Sequence, residues 1–287
     1  MNNSLLKDLK FKVFQSGNPA FFYIGINVLI FVVLALINVP FFLSGNGGST
    51  YEGLIREYAG FPASIAKLPT RFYTILTYQF FHGGIMHVLF NMLWLYWMGK
   101  IFLDFLKPRQ FHFVYLFGGF AGALLYLLAY NVFPVFAPYT AGANIIGSSA
   151  AVMAIVVATA TLVPDYSIRL LFLGDVKLKY LALGYIVLDL IGIASTDAGG
   201  SFAHLGGALF GFLYIFLLKK GTDWSKLFKR KPKLKVVKND FGRATDRRTV
   251  EKVNQDEIDR ILDKISTSGY DKLSKTEKET LFKASKH

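Results

Sequence analysis

From Gln110 to Pro164 the chain reads QFHFVYLFGGFAGALLYLLAYNVFPVFAPYTAGANIIGSSAAVMAIVVATATLVP, with no Asp, Glu, Lys or Arg anywhere in it. A bilayer core about 30 Å thick is crossed by roughly 20 residues of helix. The stretch is about twice that long. Pro134, Pro138, Gly142 and Asn144 interrupt its middle, where helix breakers and turn formers belong. Two apolar helices are therefore predicted, over residues 110–133 and 147–164.

The same reading extends outward. No charge lies between Lys12 and Glu52, and residues 21–43 inside that gap read as a first span. A second uncharged run between Arg71 and Lys100 holds a helix expected to begin near residues 82–84. Residues 180–195, with the single acid Asp189, and residues 199–218, ending at Lys219 and Lys220, supply a fifth and a sixth span. The whole chain is 53% hydrophobic and 18% charged, away from the roughly 25% charge of soluble domains. The fold class predicted is all-α, a polytopic bundle of six transmembrane helices. No short apolar segment with a small-residue cleavage site marks a signal peptide at the N-terminus.

The absence of cysteine excludes disulfides, thiolate metal sites and a Cys nucleophile. The net charge of +13 is concentrated at one end: from Lys219 onward lie 20 of the 32 basic and 11 of the 19 acidic residues. The high pI therefore reports a basic tail behind an apolar body, not a nucleic-acid-binding surface. Lys7, Lys10 and Lys12 precede span one, Lys100, Lys107 and Arg109 follow span two, and Arg169, Lys177 and Lys179 follow span four. Such alternation puts both termini in the cytoplasm and residues 44–81, 134–146 and 196–200 outside. Four segments are expected: a cytoplasmic N-terminal piece at 1–20, the six-span core at 21–218, a basic linker at 219–253 and a helical tail at 254–287. In the tail, Ile258, Ile261, Leu262 and Ile265 repeat at helical spacing. Gly269 breaks the pattern, and Ser274 with Glu277 reads as a capping box. A small hairpin, docking an unidentified cytoplasmic partner, is the expectation.

Spans two, four and six all run inward, so sequence position converts to depth at 1.5 Å per residue. His87 and Asn91 share one face of span two, with His82 near its mouth; Ser148 and Ser149 open span four; His204 lies a few residues into span six. All fall in one outer-leaflet layer, where polar groups are costly unless they pair or line a site. Ala203, Gly207 and Gly211 form small-xxx-small steps that let helices approach closely, as do Gly147 and Ala150–Ala151. A Ser hydroxyl needs a base to become a nucleophile, and His204 could be that base. Asn91, His87 and amides at the start of span four are candidate donors to an oxyanion. Asp189 reads as a hydrogen bond inside the bundle or as a proton site, and His112 receives no role.

These residues resemble the signatures of the rhomboid intramembrane serine proteases. His82-Gly-Gly-Ile-Met-His87-Val-Leu-Phe-Asn91 is similar to their HxxxxHxxxN segment. Gly147-Ser148-Ser149-Ala150 is similar to GxSG, and Ala203-His204-Leu-Gly-Gly-Ala-Leu-Phe-Gly211 to AHxxGxxxG. The likeness runs from about residue 20 to 218. It implies a serine endopeptidase of the six-span bacterial inner-membrane type, acting within the lipid bilayer on transmembrane protein substrates without cofactor or metal. It implies Ser149 as nucleophile, His204 as base, an oxyanion pocket from Asn91 and His87, and no acidic third member. It also makes the long first connection, 44–81, a membrane-embedded loop.

The sequence departs from the family pattern at Ala150, where Gly is usual, and at Met153, where an aromatic often stacks on the base. It departs again at Tyr73–Thr74, where a Trp-Arg pair is common. Two rival readings follow. A catalytically inactive relative that binds transmembrane helices would not label with serine-directed probes. A proton or metal transporter using His82, His87, Asp189 and His204 would keep its flux after Ser149→Ala.

Overall fold

The computed structural model describes residues 2–45, 49–170, 174–195, 197–228 and 255–285. It is predominantly helical and divides into two compact units, 1–230 and 231–287. In the first, α1 (Asn2–Lys10) and a π-helical turn lead to α2 (Pro19–Leu43). Asn18 caps α2, its side chain accepting from the Ala20 and Phe21 amides at 2.9 and 3.3 Å, and Pro19 occupies the first turn. The helix thus starts two residues before the apolar run that revealed it.

The first connection is ordered. α3 (Ser49–Ala59) is followed by β1 (Phe61–Pro62), a 3-10 turn and the one-turn α4 (Thr74–Thr77). Glu57 binds Arg71 at 2.6 Å and Lys67 at 3.1 Å. The Arg71 hydrogen bond holds its carboxyl below the usual carboxylate range. Tyr73 and Thr77 hydroxyls donate to the carbonyls of Tyr58 and Ala59 at 2.9 and 3.1 Å. Where the family pattern has Trp-Arg, this loop is anchored by an ion-pair cluster and two hydroxyls.

The bundle is α5 (Ile85–Phe105), α6 (Pro108–Val132), α7 (Ser149–Leu162), α8 (Leu178–Gly192) and α9 (Ala198–Lys219), with β2 (Asn144–Ile145) before α7 and the hairpin β3 (Ser167–Leu170) and β4 (Gly174–Lys177) before α8. Among the described residues four helices, α2, α5, α6 and α9, are long and apolar enough to cross a membrane. α7 has 14 residues and α8 has 15, about 21 and 22 Å at 1.5 Å per residue.

The centre is the trio α6, α7 and α9, and its closeness depends on missing side chains. A Cβ on Gly207 would fall on the Ala150 carbonyl, and one on Gly211 on the Ala154 carbonyl. One on Gly122 would lie 2.6 Å from both the Ala150 methyl and the Ala203 carbonyl. Lipid tails give apolar helices no hydrophobic reason to associate, so this close packing holds the trio together. It also accounts for Ala150: its methyl sits over the bare Cα of Gly122.

In the second unit, α10 (Gln255–Ser268) ends at Gly269, whose φ is +83°, and α11 (Lys275–Ala284) begins after a 3-10 turn. The expected capping box is present: the Ser274 amide donates to Glu277 Oε2 at 2.7 Å, and the Glu277 amide donates to Ser274 Oγ at 3.3 Å. Ile261 and Leu273 are buried between the helices. Most of the basic linker, residues 229–254, lies outside the described residues.

Candidate active site

The segment before α7 is clamped by the first connection. Phe61 pairs with Ile145 and Pro62 with Asn144 in an antiparallel bridge, the Ala63 amide donates to the Ala143 carbonyl at 2.9 Å, and the Gly147 amide donates to the Tyr78 carbonyl at 2.9 Å. Gly147 then turns the chain at φ +128°, a region that side chains rarely adopt. A Cβ there would lie 2.8 Å from both Cε1 and Nε2 of His87 and 3.6 Å from Ser149 Oγ. Conformation and space both require glycine, and its bareness lets the imidazole of His87 approach the start of α7.

The adjacent serines part at this turn. Ser148 is the N-cap residue, fully buried, with its Oγ 3.1 Å from His82 Nε2 and its amide donating to that same nitrogen at 3.4 Å. Ser149 is the first helical residue and lines a cavity of about 650 Å³. The amides of the first turn of α7 have no intrahelical acceptor.

From α5, His87 and Asn91 line the same cavity. One Asn91 Nδ2 hydrogen goes to the His87 carbonyl at 2.9 Å, four residues back, which orients the amide and leaves its second hydrogen available. His82 stands just ahead of α5. α5 begins at Ile85 because Gly84 is fully extended, at φ 172° and ψ 164°. His82 therefore lies before the helix, ring to ring with His87 at 5.1 Å, and grips Ser148 outside the cavity lining.

His204, on α9, lines the cavity, and its Nδ1 is 2.8 Å from Asp189 Oδ1 on α8. The expectation that this histidine lacks a carboxylate partner does not hold. Asp189 is 9% exposed, and its Oδ2 has no partner among the described residues. Asp189 thus makes the bundle hydrogen bond anticipated as one of its two roles. The pairing itself was missed, although depth could have revealed it. The α8–α9 turn is short, Asp189 lies three residues before the end of α8 and His204 six after the start of α9, so both lie at similar depth.

Met153 lines the cavity where the family pattern has an aromatic. Trp94 of α5 meets Tyr185 of α8 edge to face at 5.2 Å, and both also border it. His112 Nδ1 is 3.1 Å from the Tyr23 hydroxyl, a bond within the bundle remote from the cavity. Among the described residues no three His, Asp or Glu side chains gather closely enough to hold a metal ion.

Comparison with known proteins places this site in a lineage. The Rhomboid domain matches residues 69–221, which include every cavity residue discussed above. A second match, to a family of unknown function (DUF6576), covers residues 246–287. Rhomboid protease GluP of Bacillus subtilis is 30% identical over 204 residues, 70% of this chain and 35% of its own length. RHOMBOID-like protein 12, mitochondrial, of Arabidopsis thaliana is 29% identical over 161 residues, 53% of this chain and 48% of its own. RHOMBOID-like protein 4 of the same plant is 28% identical over 158 residues, 52% of this chain and 35% of its own. The chain thus spans about half or less of the length of these relatives. With a matched domain over half its length and apolar helices long enough to cross a bilayer, this chain is an integral membrane protein of the rhomboid family.

Proposed function

We propose that the chain is an intramembrane serine endopeptidase that cleaves transmembrane or membrane-proximal segments of membrane proteins. The observation that carries this reading is the convergence of Ser149, His204, His87 and Asn91, from three helices, on one cavity. The similarity to a protein named a protease in B. subtilis supports it.

In the proposed reaction Ser149 Oγ attacks the scissile carbonyl carbon. The hydroxyl proton passes to His204 Nε2 as the Oγ–C bond forms, and the carbonyl π pair moves onto oxygen. Asn91, His87 and the α7 amides donate to that oxyanion. As it collapses, the C–N bond breaks and His204 returns the proton to the leaving amine. Water then cleaves the acyl-enzyme by the same exchange of a proton. No cofactor enters these steps.

Ser149 is assigned over Ser148 because Ser148 is buried against His82 whereas Ser149 opens on the cavity. The core, residues 21–218, crosses the bacterial inner membrane six times with both termini cytoplasmic, α7 and α8 being its shorter spans. Residues 1–20, 219–253 and 254–287 are then the cytoplasmic N-terminal segment, the basic linker and the helical tail.

The test is serine-directed labelling joined to cleavage. Purified protein should react with a fluorophosphonate at Ser149 and cut single-span substrates. Ser149→Ala should abolish both in a protein that still inserts, while Ser148→Ala keeps a substantial fraction. Activity persisting in both single variants would end the serine-protease reading.

A further inference from the structure

We infer that Asp189 is a positioning residue for His204, so that the site works as a Ser149–His204–Asp189 triad rather than as a dyad. The inference rests on the protease reading above.

An ionised carboxylate only accepts hydrogen bonds, so the 2.8 Å contact between Asp189 Oδ1 and His204 Nδ1 puts the imidazole proton on Nδ1. The lone pair is then on Nε2, the nitrogen that must take the Ser149 proton. The bond also fixes the ring's rotation. It joins α8 to α9, and both residues line the cavity that Ser149 opens on.

A purely structural role explains the choice of residue poorly. Nδ1–H could be satisfied by a neutral acceptor such as an amide oxygen, at far lower desolvation cost than a carboxylate inside a membrane bundle. What the carboxylate adds is charge. That charge matters most when His204 becomes an imidazolium, which happens only as Ser149 gives up its proton. Oδ2 has no partner among the described residues, so the contact with His204 is the one hydrogen bond described for this carboxyl group. Charge held in reserve until the transition state raises turnover without strengthening substrate binding.

The experiment compares the full-length protein with Asp189→Asn and Asp189→Glu in bilayer nanodiscs. In triads of soluble proteases, replacing the acid by its amide lowers turnover by about 10⁴. Here Asp189→Asn should lower kcat by at least about a hundredfold, slow fluorophosphonate labelling of Ser149 in parallel, and leave KM within about twofold. Asp189→Glu, which restores the charge, should recover part of the loss. Independently of turnover, ¹⁵N spectra of His204 should show the proton on Nδ1 in the native protein and lose that single tautomer in Asp189→Ala, which leaves no acceptor there. The native spectrum needs no variant to fold, and a proton found on Nε2 there would by itself refute the assignment.

Turnover of folded Asp189→Asn within about threefold of native would overturn the triad while native labelling at Ser149 upholds the protease. A native His204 protonated on Nε2 would overturn it as well. A native protein that neither labels nor cleaves would sink the protease reading and the triad with it.

Discussion

Replacing Gly147 by alanine tests how the turn before α7 builds the site. The new methyl would stand 2.8 Å from His87 Cε1 and Nε2, against the 3.5–4.0 Å or so of an ordinary carbon contact. The backbone cannot yield easily, because the Gly147 amide is bound to Tyr78 and the preceding residues to β1. Holding a side chain at φ +128° costs about 1–3 kcal/mol. The imidazole must swing away, and losing one oxyanion donor costs about 3 kcal/mol, or roughly a hundredfold to a thousandfold in kcat. Gly147→Ala should therefore insert with a lowered Tm and cleave a single-span substrate at about 1% of the native rate or less. Gly142→Ala is the control, since a Cβ there meets nothing within 4 Å. A double-mutant cycle assigns the loss. If the methyl acts by displacing His87, the double variant Gly147→Ala with His87→Ala should be little slower than His87→Ala alone. Near-native turnover of Gly147→Ala, or fully additive losses in the cycle, would refute the reasoning.

Asn91→Ala should lower kcat about a hundredfold with KM little changed, as expected for a donor to charge present only in the transition state; a raised KM at unchanged kcat would make Asn91 a substrate-binding group. Gly207→Ala should lower Tm by the equivalent of about 1–3 kcal/mol, because its methyl meets the Ala150 backbone, which no rotamer change relieves, whereas Gly184→Ala meets nothing and should be neutral or stabilising. Equal Tm values for the two would contradict the close-packed trio. In the C-terminal unit the Lys264 hydrogen bond, helped by Ser274, lowers the Glu277 carboxyl from its ordinary 4.5 to about 2. Its contribution to folding is thus full above the ordinary value and lost as pH falls toward about 2. Amide protection over residues 255–285, corrected for the intrinsic exchange rate at each pH, should fall across that window in the native chain and much less in Glu277→Gln.

Depth along a helix was legible in the sequence because the rise per residue is fixed. That single relation brought His87, Asn91, Ser149 and His204 to one layer before any coordinates, and all four line one cavity. The relation failed where the chain is not helical. His82, expected near the mouth of span two, precedes α5, which starts only at Ile85 after the extended Gly84, and it contacts Ser148 instead of lining the cavity. Ser148 occupies the N-cap position one residue before α7, and its side chain makes no capping bond there. The Asp189–His204 bond was missed for another reason. Spans were read for what each carries alone, and a hydrogen bond between neighbouring helices depends on their rotation, which hydropathy does not encode. The loop anchor at Glu57, Arg71 and Lys67 was equally hidden, since only the first connection's fold brings Arg71 back onto α3.

Every residue of α7 from Ala150 to Ala160 is buried by other helices, so α7 has almost no surface for lipid. At about 21 Å it is also shorter than an average hydrocarbon core of about 30 Å. In the six-span topology proposed above, a helix of this kind is poorly matched to enter a bilayer alone, and α5, α6 and α9 would supply its sheath. Once sheathed, it is insulated from hydrophobic mismatch. Moving the protein between thin and thick membranes should strain α2, whose outer face is exposed, while the cavity end of α7 keeps its level among its neighbours.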